Sequence, residues 1–236
     1  MLVKEAQDIT GKLSTPSKMP GYSYNLPAVE CNVGSALNKL KGSVCFDCYA
    51  RKGRYLFENV KNAMYRRLAA LAHPMWVEAM VFLISRYRRT KGYTHFRWHD
   101  SGDLQSMDHL ANICEVCRRT PDVQHWLPTK EIHLVKRYAG DIPDNLCIRL
   151  SAFYIDEEPK AKVRNLPVST VHRTKAPEPA HECLAYRTLK SGEIVSKDKR
   201  AQLRRSKEEP DVEFGFCGDC RACWDTEQPW VSYGLH

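Results

Sequence analysis

Three cysteines in the run F-C-G-D-C-R-A-C-W, Cys217, Cys220 and Cys223, join Cys183 upstream to make a four-thiolate set. Such a set suits a cubane iron–sulfur cluster (4Fe–4S), whose irons each take one soft thiolate. The tight C-x-x-C-x-x-C turn reaches three corners and the remote cysteine closes the fourth. Tetrahedral zinc competes, because four-cysteine zinc sites use the same C-x-x-C pairs. A second group, Cys31, Cys45 and Cys48, lies in E-C-N-V-G-S-A-L-N-K-L-K-G-S-V-C-F-D-C-Y-A and has no evident fourth thiolate. An open iron in a three-cysteine cubane can bind a small ligand, as the open position does at catalytic zinc. The alternatives are a zinc completed by histidine or a cluster shared with another cysteine. Full ligation fits structure or electron transfer, so any chemistry belongs with the incomplete set.

The other cysteines read differently. Cys114 and Cys117 fall inside a helical pattern, N-I-C-E-V-C-R-R, where small apolar residues pack. Cys147 stands mid-strand between Leu146 and Ile148 and reads as core. His99, Asp100 and Asp103 cluster at a strand end, with His95 and Arg97 on the same strand. Their chemistry fits metal or acid–base work, and equally a hydrogen-bonded turn in which the aspartates cap backbone. His125, His133, His172 and His181 are isolated and read as packing or surface, with His172 and Arg173 the weaker cleft candidates. Tyr22, Tyr24, Tyr49 and Tyr55 lie near basic residues, where they can stack bases or simply pack. The chain has no P-loop, dinucleotide fingerprint, nucleophile elbow or zincin motif.

The elements that must position these groups follow from periodicity. Residues 1–30, rich in Pro, Ser, Gly and Lys, read as an extended lead-in. Leu56, Val60, Met64, Leu68 and Leu71 have helical spacing from Tyr55 to Ala72, and a second helix is expected from Pro74 through Tyr87. Y-T-H-F-R-W-H alternates and reads as a strand ending at Asp100-Ser101-Gly102-Asp103. A helix capped by Ser106 runs to Arg119. V-Q-H-W-L is a strand ending at Pro128-Thr129-Lys130, then come a helix from Glu131 to Ala139 and the strands L-C-I-R-L-S and V-S-T-V-H-R-T. The stretch from Arg187 to Pro210 reads as a hairpin or flexible excursion. Strands alternating with helices predict a mostly parallel α/β sheet, a partial (β/α) barrel with cysteine-rich N- and C-terminal segments. Such folds hold ligands just past the strand ends. One domain is expected over 1–236: a loop region with the first cysteine group (1–50), a βα core (51–175) and a cysteine-rich extension (176–236).

The 236 residues suffice for a real core, and 43% hydrophobic with 27% charged content is that of an ordinary globular protein. No apolar run approaches the length of a membrane span, and the start lacks a signal peptide's apolar stretch. The cytoplasm is the expected compartment, where ten cysteines serve as thiols or metal ligands rather than disulfides. A net charge of +8 favours polyanions. It is concentrated: ten Lys or Arg against Glu58 and Glu78 between Arg51 and Lys91, and eight against Glu193 and Asp198 between Arg187 and Lys207. Each run is either a solvated face or a surface for nucleic acid or nucleotide phosphate.

G-S-V-C-F-D-C-Y-A followed by K-G-R-Y, F-R-W-H-D-S-G-D-L, H-W-L-P-T-K-E, C-G-D-C-R-A-C-W and V-S-Y-G-L-H together resemble a phage protein family known as gene product 88. That resemblance implies residence in the host cytoplasm but no established activity, and leaves a host protein open as a partner. More distantly, the order of motifs resembles phage proteins of the radical S-adenosylmethionine type. That likeness implies that Cys31, Cys45 and Cys48 hold a 4Fe–4S cluster with an open iron. Asp100, Ser101, Gly102 and Asp103 would face the methionine end of S-adenosylmethionine, with Thr129 and Lys130 beside it. Asp100, Asp103 and Lys130 are then the catalytic candidates, and Ser101, Gly102 and Thr129 the cofactor-binding ones. Thirteen residues separate Cys31 from Cys45, far more than that motif usually has.

Overall fold

The structure, a computed structural model, describes residues 1–157, 163–205 and 212–235. Its elements in chain order are α1 (Val3–Thr10), β1 (Tyr22–Tyr24), α2 (Asn32–Leu37), α3 (Glu58–Ala70), α4 (Trp76–Lys91), β2 (His95–Trp98), α5 (Met107–Arg118), β3 (Gln124–Thr129), α6 (Ile132–Arg137), β4 (Leu146–Ser151), β5 (Val168–His172), β6 (His181–Cys183), α7 (Lys197–Arg205) and β7 (Trp230–Gly234). Seven strands form one sheet in the order β1-β2-β3-β4-β5-β7-β6, every pair parallel. Five neighbours in chain order, with no reversal, wind as a partial (β/α) barrel does; a doubly wound sheet would reverse. The expected α/β architecture is the observed one.

Register gives the sheet two unlike faces. Tyr24, Trp98, Leu127, Ile148 and Leu150 point to one side and bury against Trp76 and Met80 of α4 and Leu110 and Ile113 of α5. Each such side chain contributes roughly 1.5–3 kcal/mol by leaving water. Ser23, Arg97 and Trp126 align across β1–β3 on the opposite side, with Cys147 and Arg149 continuing the row on β4. The inner face is therefore polar. Cys114, Cys117 and Cys147 are fully buried, in keeping with their reading as packing residues.

Several local expectations need correction. The first thirty residues are not merely a lead-in, for they hold α1 and the edge strand β1. Tyr24 is fully buried, and its hydroxyl accepts from Trp76 at 3.1 Å. A three-residue strand is too short to show alternation, so composition outweighed it. The helix expected from Tyr55 starts at Glu58, behind a 3-10 turn over Gly53–Leu56. Pro74 lies in the turn before α4 rather than opening it. Ser106 does cap α5, accepting from the His109 amide at 3.0 Å. The stretch after Arg187 contains a bridge between Thr188 and Ile194 and then α7; residues 206–210 lie outside the described ones. Strands β6 and β7 carried no signal strong enough to be anticipated. Among the described residues no helix is long and apolar enough to cross a membrane.

Candidate functional site

The loops that follow β1 to β4 meet at the carboxyl edge of the sheet. After β1 the chain crosses Cys31, which precedes α2, and runs through a turn in which the Cys48 amide donates to the Cys45 carbonyl at 3.2 Å. This cysteine loop is braced from several directions. Arg51 donates to Asn38 Oδ1 and to the Ala28 carbonyl, both at 3.0 Å, and Asn38 donates to the Cys45 carbonyl at 2.7 Å. The Val44 amide reaches the Phe153 carbonyl at 2.9 Å, beside a bridge from Ser43 to Tyr154, which fastens the loop to the chain leaving β4. Glu131, fully buried just past β3, accepts from the Val33 amide at 2.9 Å and so caps α2 where Cys31 has no suitable side chain.

Gly34 shows why this loop needs a glycine. A Cβ there would stand 2.9 Å from Cys31 Cβ, 3.6 Å from its sulfur and 3.7 Å from the Cys45 sulfur. Both sulfurs thus lie within reach of one point, and the missing side chain leaves them clear. Burial pushes the Cys31 thiol up, helped by Asp103, Cys45 and Cys48 and opposed by Arg51. Burial likewise raises Cys45, against the pull of Lys130. A soft metal would relieve that strain by replacing the protons.

The Asp100–Asp103 turn lies against the β1 loop. Asp100 accepts from Ser23 Oγ at 2.6 Å, Asn25 Nδ2 at 3.3 Å and Tyr55 Oη at 3.4 Å. Its carbonyl accepts from the Tyr49 hydroxyl, while the Tyr49 ring is 60% exposed. Asp103 accepts from Thr129 Oγ1 at 2.6 Å and from the Lys130 and Leu104 amides at 2.8 Å each. Burial nonetheless raises its carboxyl to about 6, these donors working against the rise. Ser101 donates to the Leu26 carbonyl at 2.8 Å, and Gly102, at φ +82°, would press a Cβ to 2.6 Å from Leu26 Cβ. Lys130 donates to the Ala152 carbonyl at 2.8 Å and stands in the field of Cys45, Asp103, Cys48 and Cys31. All six sequence-derived candidates and the first cysteine group thus meet at one edge. Ser101, Thr129 and Asp103 are committed to bonds within it. His99 is buried, its ring nitrogens without partners.

The C-terminal cysteines gather on the inner face. Cys183 ends β6, and Cys217, Cys220 and Cys223 lie on the loop before β7, whose C-x-x-C turn repeats the first one: the Cys220 amide donates to the Cys217 carbonyl at 3.1 Å. Burial pushes Cys183 up to about 12, with Cys223, Cys217 and Cys220 adding to it. Cys217 rises to about 11, mainly through burial and Cys223, with Arg97 and Arg221 opposing. The four thiols therefore lie close enough to raise one another. Tyr233 Oη lies 3.2 Å from the Cys223 sulfur, and His181 Nε2 lies 3.5 Å from the Cys220 sulfur. Among the described residues, no three His, Cys, Asp or Glu side chains close around a point as a single ion requires.

The sequence does not single out Arg149, and marks Arg97 only as a strand neighbour of His99 and Asp100, because their signal is three-dimensional. Arg149 is fully buried; its Nη1 donates to the carbonyls of Val168 (3.1 Å) and Gln228 (3.0 Å), its Nη2 to those of Ala222 (2.9 Å) and Asp225 (3.1 Å). It pins the cysteine loop to the sheet, with Trp224 stacked edge-on against Trp126 at 5.1 Å. Arg97 lies over the Trp126 ring at 4.3 Å, and Tyr49, Asp100, Tyr233 and Cys223 all favour its charge. Arg97 thus answers both to Cys223 and to Tyr49, the residue after Cys48. His125, His133 and His172 stay outside both groups; His172 bonds Ser232 at 2.8 Å.

A family model described as Gene product 88 matches residues 1–226. No curated protein and no solved structure matches the chain.

Proposed function

The chain belongs to the gene product 88 family, and for it we propose an iron–sulfur protein with two centres, the first of them a radical S-adenosylmethionine-like catalytic site. The observation that carries this reading is that Cys31 approaches Cys45 and Cys48, and Cys183 approaches Cys217, Cys220 and Cys223, on one all-parallel sheet. The residues fit the group: both sets are soft and mutually coupled, and Gly34 keeps the sulfurs of Cys31 and Cys45 clear of a side chain. A cubane spreads its thiolates over the corners of a cube.

In this reading Cys31, Cys45 and Cys48 hold the first cluster, and Cys183, Cys217, Cys220 and Cys223 the second. A cubane with three protein thiolates keeps one iron open, and with S-adenosylmethionine it supplies radical chemistry. The chain's own residues bind, orient and shield. Lys130 sets a cation among the three thiolates, Asp103 fixes the Lys130 backbone, and Asp100 holds Tyr55 and Ser23 beside the open edge. Arg51, Lys52 and Arg54 directly follow the first cysteine loop in the chain and suit a nucleotide or nucleic-acid substrate.

The test is anaerobic reconstitution followed by metal analysis. About eight irons per chain are expected, falling to about four when Cys31, Cys45 and Cys48 are replaced by Ala. With S-adenosylmethionine and a strong reductant, the intact protein should release 5′-deoxyadenosine. Zinc in place of iron refutes the cluster reading, and loaded protein that leaves S-adenosylmethionine intact refutes the catalytic one. A second reading, a metal-stabilised nucleic-acid-binding module, draws on exposed Phe46, Tyr49 and Phe57 among Lys52 and Arg54. It predicts salt-dependent binding with no release of 5′-deoxyadenosine.

A further inference from the structure

The two cysteine groups differ in what surrounds their sulfurs. In the C-terminal group, the Tyr233 hydroxyl stands 3.2 Å from the Cys223 sulfur and His181 Nε2 stands 3.5 Å from the Cys220 sulfur. Both distances are ordinary for a hydrogen bond to sulfur. A thiolate bound to metal has no proton to give, so in each pair the oxygen or nitrogen must donate. The strand geometry supports this assignment. His181 and Cys183 are two residues apart on β6, so their side chains share a face, and their register partners Val231 and Tyr233 share it on β7. The Cys183 sulfur has a third donor, the Ala185 amide. No such donor reaches the sulfurs of Cys31, Cys45 or Cys48 among the described residues. Lys130, whose charge favours the Cys45 thiolate, is bonded to the Ala152 carbonyl instead.

We propose that Tyr233 and His181 are positioning residues of the C-terminal centre, hydrogen-bonding its thiolates and making it the higher-potential of the two clusters. The reasoning rests on the two-cluster reading above. Adding one electron to a cluster increases negative charge on its sulfurs, with no bond broken and no proton moved. Donors aimed at sulfur stabilise that extra charge and raise the reduction potential, and neighbouring Arg149 and Arg97 act in the same sense. The first group has the cations Lys130 and Arg51 nearby but, among the described residues, no donor on its sulfurs. An electron entering from an external one-electron reductant therefore settles on the C-terminal cluster first, and the first cluster stays oxidised until stronger reduction.

The experiment is a dithionite titration of anaerobically reconstituted protein, followed by electron paramagnetic resonance, on the wild type, Tyr233→Phe and His181→Gln. Two reduction steps are expected in the wild type. The Cys31/Cys45/Cys48→Ala protein should keep the higher one. Tyr233→Phe and His181→Gln should each move only that step to lower potential, with iron content unchanged. His181 is exposed, so its replacement spares the fold even if Tyr233→Phe does not. Loaded variants whose upper step stays in place overturn the donor role. Loss of iron in His181→Gln also overturns it, since His181 would then be a ligand. Wild-type protein that takes up no iron refutes the cluster reading instead, and iron analysis separates that outcome from the others.

Discussion

Replacing Arg149 by Met should detach the C-terminal cysteine loop from the sheet. The guanidinium is wholly buried and spends all four Nη hydrogens on the carbonyls of Val168, Ala222, Asp225 and Gln228. Methionine fills a similar volume but offers no donor. If the loop stays in place, four buried acceptors go unpaired at about 1 kcal/mol or more each. If it lifts, three recover water, but Trp224 leaves its place against Trp126, exposing an aromatic surface worth about 2–3 kcal/mol. Both routes give a loss of about 3–5 kcal/mol, a large part of the 5–15 kcal/mol that holds a typical domain together. Urea unfolding followed by tryptophan fluorescence should show the midpoint falling by about 1–2 M. Metal analysis should show the C-terminal centre lost and the first retained. Arg149→Lys should fall between, because an ammonium is a point donor and cannot span four carbonyls. A variant within about 1 kcal/mol of the wild type and with full metal load would falsify the argument.

Three further outcomes are expected. Cys114→Ala and Cys117→Ala should each cost about 1–2 kcal/mol through the cavities they leave, with iron content unchanged; loss of iron would make them ligands. Gly102→Ala should destabilise by more than about 2 kcal/mol, read by thermal unfolding, because a left-handed φ of +82° combines with a clash against Leu26. For Asp103 the folded carboxyl, at about 6, lies above the ordinary 3.9 or so, so protonation favours the folded state. In metal-free protein the wild type should therefore gain about 2–3 kcal/mol relative to Asp103→Asn as pH falls from 7 to 4. A flat difference across that window would contradict the assignment.

How much the sequence disclosed varied with the range over which each signal acts. Strands β2, β4 and β5 and helix α5 were legible because period and cap lie within a dozen residues. The cysteine groups were legible because thiols are scarce and their short spacings are local. Strand β1 was not, since three residues carry no period and its stability comes from β2 and the buried Tyr24. Strands β6 and β7 owe their place to pairing across the chain. Arg97, Arg149, Glu131 and Tyr233 look like ordinary surface or core residues until the sheet aligns them. His181, an isolated histidine by sequence, meets Cys220 only because the loop before β7 folds back over β6.

The strand order carries a consequence for how the molecule is made. Strand β7 lies between β5 and β6, although it follows both along the chain. While the polypeptide is being synthesised, β6 must wait, for its one strand partner has yet to emerge. Cys183, carried on β6, waits with it, and so does the meeting with Cys217, Cys220 and Cys223. The loops bearing Cys31, Cys45 and Cys48 need only β1 to β4, which appear first. Folding thus has a built-in schedule: the amino-terminal cysteine group can gather on a nascent chain, and the carboxyl-terminal one only when the last strand slides into its slot.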